Sequence, residues 1–290
     1  NTPQVCFGAC NGEVINVVQQ RYERIYKENK YPDLWFYWDG KPLLLYNADP
    51  VHDANGGHSA YKDGKHDYSD DVKNFFTLRN MWWGYYEWAG KRFIGTEDNW
   101  SFGYSLADSR IKSMTPEQLA SKHDGKIEEV AVTPAQHPVT MTDVPMGVGK
   151  SWSRRDGEPK LNEYDLPDSA YVPWLDRKVS DPEGYGIYFQ ERWDDALAAN
   201  PQFLYLNDWN EWTAGKYNGD GMWLGRKNPF MFVDQYNSEF NRTIQPMKGG
   251  STDNYYMQMA QNLRGYKGVR PVPVNRHIHK LSVAGSCAEW

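Results

Sequence analysis

Asp208 and Glu211 are the two residues of this chain whose types and spacing best suit chemistry. They stand three apart in Phe-Leu-Tyr-Leu-Asn-Asp-Trp-Asn-Glu-Trp-Thr-Ala-Gly, residues 203–215, directly after an apolar run that reads as a buried strand. Hydrolysis of a glycosidic bond needs two carboxyl groups. One protonates the leaving oxygen, and the other attacks the sugar or activates water. Trp209 and Trp212 flank Glu211. Indole faces with polar edges suit stacking on a sugar ring, and their bulk desolvates a neighbouring carboxyl and raises its pKa. Carboxylates at the C-terminal end of a barrel strand lie on the face where such folds carry their active sites. A structural role stands beside this reading: Asp208 capping a turn, and Glu211 pairing with Arg154 or Arg155.

The elements that must hold these groups alternate between strand and helix. Residues 4–9 form an apolar strand, and 14–29 carry Val14, Val17, Val18, Tyr22, Ile25 and Tyr26 at the spacing of one helical face. Two hydrophobic runs around Asp39-Gly40 predict a hairpin within 34–47. A polar, Gly- and His-rich loop follows at 49–70, then a short helix over 71–80 and a short strand over 99–105. Residues 127–133 alternate as a strand, and 137–184 form a long Pro/Gly/Asp-rich excursion. A helix over 185–199 stops at Asn200-Pro201, strand 203–206 follows, and 254–265 is the last helix.

Strands alternating with helices imply an α/β architecture with a parallel sheet. A (β/α)8 TIM-type barrel is favoured over a doubly wound sheet, because polar clusters follow the strands and no nucleotide fingerprint occurs. Only about five strand–helix units can be traced, fewer than the eight of a full barrel. The chain opens within a strand and ends in a run resembling the start of another, so it reads as an internal piece lacking N-terminal strands. Residues 1–273 are expected to form the C-terminal part of the barrel, and 274–290 the start of a following segment. The remainder of a longer chain is then a partner of this one.

Composition narrows the ligand. Aromatic residues reach 15%, with 13 Trp and 20 Tyr, a supply of flat faces with polar rims that suits sugars. A formal charge of -6 gives no basic footprint for nucleic acid. No apolar run approaches the ~18 residues of a membrane span. Three cysteines and no Cys-x-x-Cys pair leave zinc without support. His52, His58 and His66 show no ligand spacing, and Asn218-Gly-Asp-Gly-Met222 lacks the closing Glu of a calcium loop. No metal or cofactor is expected. Sequons stand at Asn99 and Asn241.

Three stretches carry a resemblance. Tyr-Phe-Gln-Glu-Arg-Trp-Asp-Asp-Ala-Leu at 188–197, Pro-Gln-Phe-Leu-Tyr-Leu at 201–206 and Trp-Asn-Glu-Trp-x-x-Gly at 209–215 resemble the last helix–strand unit of family 99 glycoside hydrolases. Those enzymes are endo-α-mannosidases, with family 71 α-1,3-glucanases and Trp-Asn-Glu-Trp proteins of bacterial polysaccharide loci as relatives. The Gly-Lys-Pro hairpin at 39–47 is similar to a strand of these families. The Phe-Val-Asp-Gln-Tyr-Asn run at 232–250 is similar to secreted bacterial proteins of unassigned activity. The resemblance covers residues 34–47 and 184 to about 271, less than half the chain.

It implies a glycoside hydrolase acting on a polysaccharide or glycan outside the cytoplasm: secreted, periplasmic or at the cell surface. The families carry a second carboxylate three residues after the first, and aligned on Glu211 that position holds Ala214. Alanine cannot donate a proton, so the resemblance keeps Glu211 and takes its proton donor from another loop. Glu97 and Asp98, Asp49 and His52, and His137 are the candidates. Sliding the motif instead makes Asp208 and Glu211 the pair. Trp209, Asn210, Trp212, Trp100, His137 and Arg154 are the expected substrate-binding residues. The alternative is a carbohydrate-binding protein on a degenerate hydrolase barrel without catalysis.

Overall fold

The computed structural model describes residues 3–9, 14–46, 68–82, 87–88, 91–92, 94–101, 103, 113–135, 147–149, 159–161, 167–211, 216–217, 222–223, 226–227, 230–232, 241 and 243–268. Strand β1 (Phe7–Ala9) precedes helix α1 (Val14–Arg21), which continues into a wider helical turn at Tyr22–Tyr26. The helix buries Val14, Ile15, Val18, Tyr22 and Tyr26, while Val17, expected on the same face, is 39% exposed. Strands β2 (Tyr37–Trp38) and β3 (Lys41–Tyr46) form the expected hairpin. Asp39 and Gly40 both hold positive φ, 50° and 79°, as a two-residue turn matching strand twist requires.

Helix α2 (Asp70–Phe75) is capped by Ser69, whose hydroxyl accepts from Val72 N–H. It stops short of the helix expected over 71–80, because β4 (Thr77–Trp82) takes up the remaining residues. That strand pairs in parallel with β3, Leu44 opposite Leu78, and backbone pairing with a buried strand outweighs the local helical spacing. Strand β5 (Asn99–Ser101) pairs in parallel with β4. The order is therefore β1-β3-β4-β5, all parallel, with β2 antiparallel to β3.

Beyond β5, a short helix α3 (Pro116–Leu119) begins with a capping box at Thr115 and leads into β6 (Ser121–His123) and β7 (Lys126–Val132). The excursion at 137–184 is not all irregular: it contains the antiparallel pair β8 (Ala170–Val172) and β9 (Arg177–Val179). Helix α4 (Ile187–Ala199) ends at Asn200 in the left-handed region, ahead of Pro201. Strand β10 (Phe203–Leu206) then pairs in parallel with β7, Phe203 opposite Glu129 and Leu206 opposite Val132. Helix α5 (Asn254–Lys267) is the last described element of the frame.

Side-chain bonds tie the two sheets together. Glu97 Oε1 accepts from Gly125 N–H (3.1 Å), and Glu129 Oε2 accepts from Ser101 N–H (3.2 Å). Advancing from 97 to 101 therefore matches advancing from 125 to 129, so β5 and β7 run in the same direction. β1, β3, β4, β5, β7 and β10 all point one way.

Both faces of these strands are buried. Leu44 packs against α1 and α2, while Leu43 and Leu45 face the other side with Met81, Trp100, Phe203 and Tyr205. That double coverage explains the uninterrupted Leu-Leu-Leu run. Val130 and Val132 pack against Phe189 and Trp193 of α4 and Tyr255 of α5. Phe189 and Trp193 are fully buried, each contributing ~1.5–3 kcal/mol. The architecture is mixed α/β, with a parallel sheet carrying helices on one face. Among the described residues, strand pairing does not trace a closed eight-stranded barrel. The boundary expected at 273 and the segment 274–290 lie outside the described residues, as does the core of the His-rich loop at 49–67.

Candidate functional site

The carboxylate motif follows β10 at the shared C-terminal side of the strands. Asn207 N–H donates to Val132 O (3.0 Å), carrying the pairing with β7 one residue past the strand. Asp208 then turns into the left-handed region with φ 66°, which ends the extended run. A segment outside the expected site, 243–245, clamps the loop beyond this turn. Ile244 N–H reaches the carbonyls of Asp208 (3.2 Å) and Trp209 (3.1 Å), and Gln245 N–H reaches Trp209 O (3.0 Å). Asn210 Nδ2 donates to Gln245 Oε1 (2.8 Å). Thr243 and Ile244 are buried and hold this clamp in place.

Asp208 and Glu211 are half-buried in this loop, and Asn210 is exposed. Trp209 remains 49% exposed and sets its ring edge-on to Tyr256 of α5, with centroids 6.1 Å apart. Trp212, Ala214, His137, Arg154, Arg155, Asp49 and His52 lie outside the described residues.

Three expected site residues are placed elsewhere. Glu97 precedes β5 and bonds to Gly125 in the turn before β7, at the N-terminal end of the strands. Glu211 follows β10, and β10 runs parallel to β7. The two carboxylates thus sit at opposite ends of a strand spanning ~20 Å, and Glu97 cannot serve as the partner of Glu211. Asp98, the next residue, is at the same far end, 2.7 Å from His123 Nδ1. Trp100 is also corrected. Its indole is fully buried, stacks on Phe203 with centroids 4.8 Å apart, and offers no face to a ligand.

What Trp100 does instead is bond to Glu128, a residue sequence reasoning passes over. Ser121 pairs with Glu129 but Lys122 pairs with Ile127, so Glu128 is the unmatched residue of a register shift. A bulge of this kind re-aims a side chain. The Glu128 carboxylate receives Trp38 Nε1 (2.6 Å), Trp100 Nε1 (2.7 Å), Arg79 Nε (2.6 Å) and Arg79 Nη2 (2.6 Å). Burial by itself would raise its pKa, but Arg79 and the two indole N–H groups outweigh that and hold it below the usual carboxylate range.

Its neighbour Glu129 behaves oppositely. It is fully buried, and desolvation pushes its carboxyl well above the ordinary value despite the bond from Ser101 N–H. Two adjacent glutamates in an otherwise apolar strand are the available signal, since such residues are buried only when neutralised or paired. Tyr205, pointing into the same interior, has its hydroxyl pushed up to about 12 by burial, then by the charges of Asp208 and Glu129. The motif loop therefore follows a strand, β10, whose parallel neighbour β7 buries two carboxyl groups, Glu128 and Glu129.

Strands β5 and β7 end in compact hydroxyl turns. Ser101 Oγ donates to Gly103 O (3.2 Å), and Thr133 Oγ1 donates to Ala135 O (3.0 Å). Among the described residues no group of three or more His, Cys, Asp or Glu could hold a metal ion. No helix among them is long and apolar enough to cross a membrane. Comparison of the chain with protein-family models, with curated proteins and with solved structures finds no match.

Proposed function

We propose that this chain is a glycoside hydrolase acting on a polysaccharide or glycan, with Glu211 as its essential carboxylate. The observation that carries the reading is the placement of Asp208, Trp209, Asn210 and Glu211 on one clamped loop at the C-terminal end of a parallel strand. Six co-directional strands, helices on the outer face and a shared inner cluster support the finer reading of a partial (β/α)8 barrel. In that fold the C-terminal ends carry the chemistry. The resemblance of the Trp-Asn-Glu-Trp stretch to family 99 and 71 enzymes supports the substrate class and an extracytoplasmic location.

With Glu97 at the far end of the strands, Asp208, on the same loop as Glu211, is the candidate that remains among the described residues of the expected catalytic set. Two carboxyl groups three residues apart on a loop can flank one bond, Glu211 as base or nucleophile and Asp208 relaying the proton. The same displacement of Glu97 favours a second reading, a binding protein that kept the loop and lost the chemistry. Release of reducing ends by the wild-type chain, measured across a panel of polysaccharides, separates the two. Release from one member supports the enzyme. Retention on an immobilised polysaccharide without release from any member contradicts it.

A further inference from the structure

Away from the motif loop, helices α4 and α5 and the segment 173–185 enclose a groove of about 810 Å³. Its lining differs from the interior of the fold. Trp174 opens 48% of its surface to solvent, Tyr185 is half-buried, and Gln190, Gln258, Gln261, Asn262 and Asp181 supply half of the remaining lining residues. Among the described residues no Lys, Arg or His lines it.

The amides are pre-set. Gln190 Nε2 donates to Asp194 Oδ1 (2.8 Å) and Asn262 Oδ1 (3.2 Å). Its Oε1 accepts from Gln258 Nε2 (3.0 Å) and Asn262 Nδ2 (3.0 Å). Gln258 Nε2 also reaches Gly186 O (3.1 Å), where a left-handed φ of 55° starts α4. That glycine has no room for a side chain, since a Cβ would lie 2.6 Å from the buried Tyr255 ring as well as 2.3 Å from Gln258 Oε1. The central amides are therefore locked by four side chains from two helices. Asp181 and Gln261, both exposed at the rim, form no side-chain hydrogen bond among the described residues. They remain available to a ligand.

We infer that this groove is a binding site for a neutral oligosaccharide, separate from the motif loop. The exposed Gln261 amide presents a donor and an acceptor side by side, the pattern that matches vicinal hydroxyls, while the N–H donors of Gln190, Gln258 and Asn262 are taken up by one another, by Asp194 and by backbone carbonyls. An exposed indole offers the flat apolar face on which a pyranose ring stacks. A described lining with two aspartates, Asp181 and Asp194, and no cation argues against phosphate, sulfate or carboxylate ligands, which Arg and Lys recognise. About half of the lining surface is polar, which argues against a lipid or an apolar helix, ligands of mostly apolar sites. The site stands on its own geometry. It survives if Glu211 proves inert, and it would let the chain hold a long polymer while a second segment is processed.

The test uses the full chain carrying Glu211→Gln, so that no bond is cleaved, with and without Trp174→Ala. The probes are neutral linear hexasaccharides of glucose, mannose and xylose, read by calorimetry and by quenching of tryptophan fluorescence. One of them should bind, and Trp174→Ala should weaken it about tenfold, the loss of one stacked ring. Raising the salt concentration should leave that affinity unchanged, because no charge is being neutralised. Trp174 is exposed, so the unfolding midpoint of Trp174→Ala serves as the control for folding. Three results overturn the inference: no hexasaccharide bound at about 10 mM; equal binding with and without Trp174; or preferential, salt-sensitive binding of a lysine-rich peptide. Binding that instead disappears in Trp209→Ala alone would refute the groove while sparing the motif loop.

Discussion

Replacing Glu128 by glutamine removes the one carboxylate on which Arg79, Trp38 and Trp100 converge, at 2.6–2.7 Å. Glu128 is 2% and Arg79 4% exposed, so water cannot replace what is lost. The new amide carries N–H where an oxygen stood, and one of the four donors must face it. Removing one partner of a buried ion pair costs ~3–5 kcal/mol, because the other charge is left uncompensated. Asp39 (3.2 Å) and Asp98 (3.5 Å) also touch Arg79, but both are about half exposed, so they offset only part of this. A loss near ~3 kcal/mol is expected, read from the urea midpoint at unchanged slope. Arg79→Met should cost a similar amount. The double variant Glu128→Gln/Arg79→Met should cost less than the sum of the two single variants by at least ~1 kcal/mol, since neither charge is then stranded. A Glu128→Gln variant within ~0.5 kcal/mol of wild type, or strict additivity, would refute the claim that this network holds the strands in register.

Glu129 gives a pH signature of opposite sign to that of Glu128. Its raised folded-state pKa means its contribution to stability is full below the unfolded value near ~4.3 and is lost as pH rises through the folded value. Glu129→Gln should therefore gain on wild type as pH climbs above that point, and parallel melting-temperature profiles from about pH 4 to 8 would contradict the burial argument. Glu128, held below its ordinary value, stabilises above ~4.3 and loses that contribution as pH falls through its folded value. Trp209→Ala removes a half-exposed ring set against the edge of Tyr256. It should cost under ~1 kcal/mol of stability yet weaken glycan retention in affinity electrophoresis, and unchanged retention would remove Trp209 from the site.

Much of the frame is readable from sequence because local chemistry and tertiary packing agree. Asp39-Gly40 permits only a tight reversal, and Asn200-Pro201 stops α4 where the helical spacing ends. Residues 77–82 mislead because Leu78, Met81 and Trp82 continue the spacing of Val72 and Phe75. Only the neighbouring strand, β3, makes them extended. Glu97 enters the site candidates through its nearness to a strand, but it precedes β5, and in a parallel sheet the residues before a strand lie opposite those after it. Trp100 sits within β5 with its side chain directed to the inner cluster. The motif at 207–211 is legible from its composition. The clamp from 243–245 is not, because it works through backbone hydrogen bonds that any residue except proline could make.

The role of Glu211 admits the most direct test. Glu211→Gln keeps the size of the side chain and one acceptor oxygen, so the loop and its clamp should persist, which the unfolding midpoint checks. On whichever polysaccharide the wild-type chain degrades, turnover by the variant should fall by at least ~10²–10⁴-fold, the loss of an acid–base or nucleophilic carboxylate. Its affinity for the same polysaccharide should change by less than about threefold, because aromatic stacking and hydroxyl bonding remain. Turnover in Glu211→Gln equal to wild type would contradict the proposed chemistry outright.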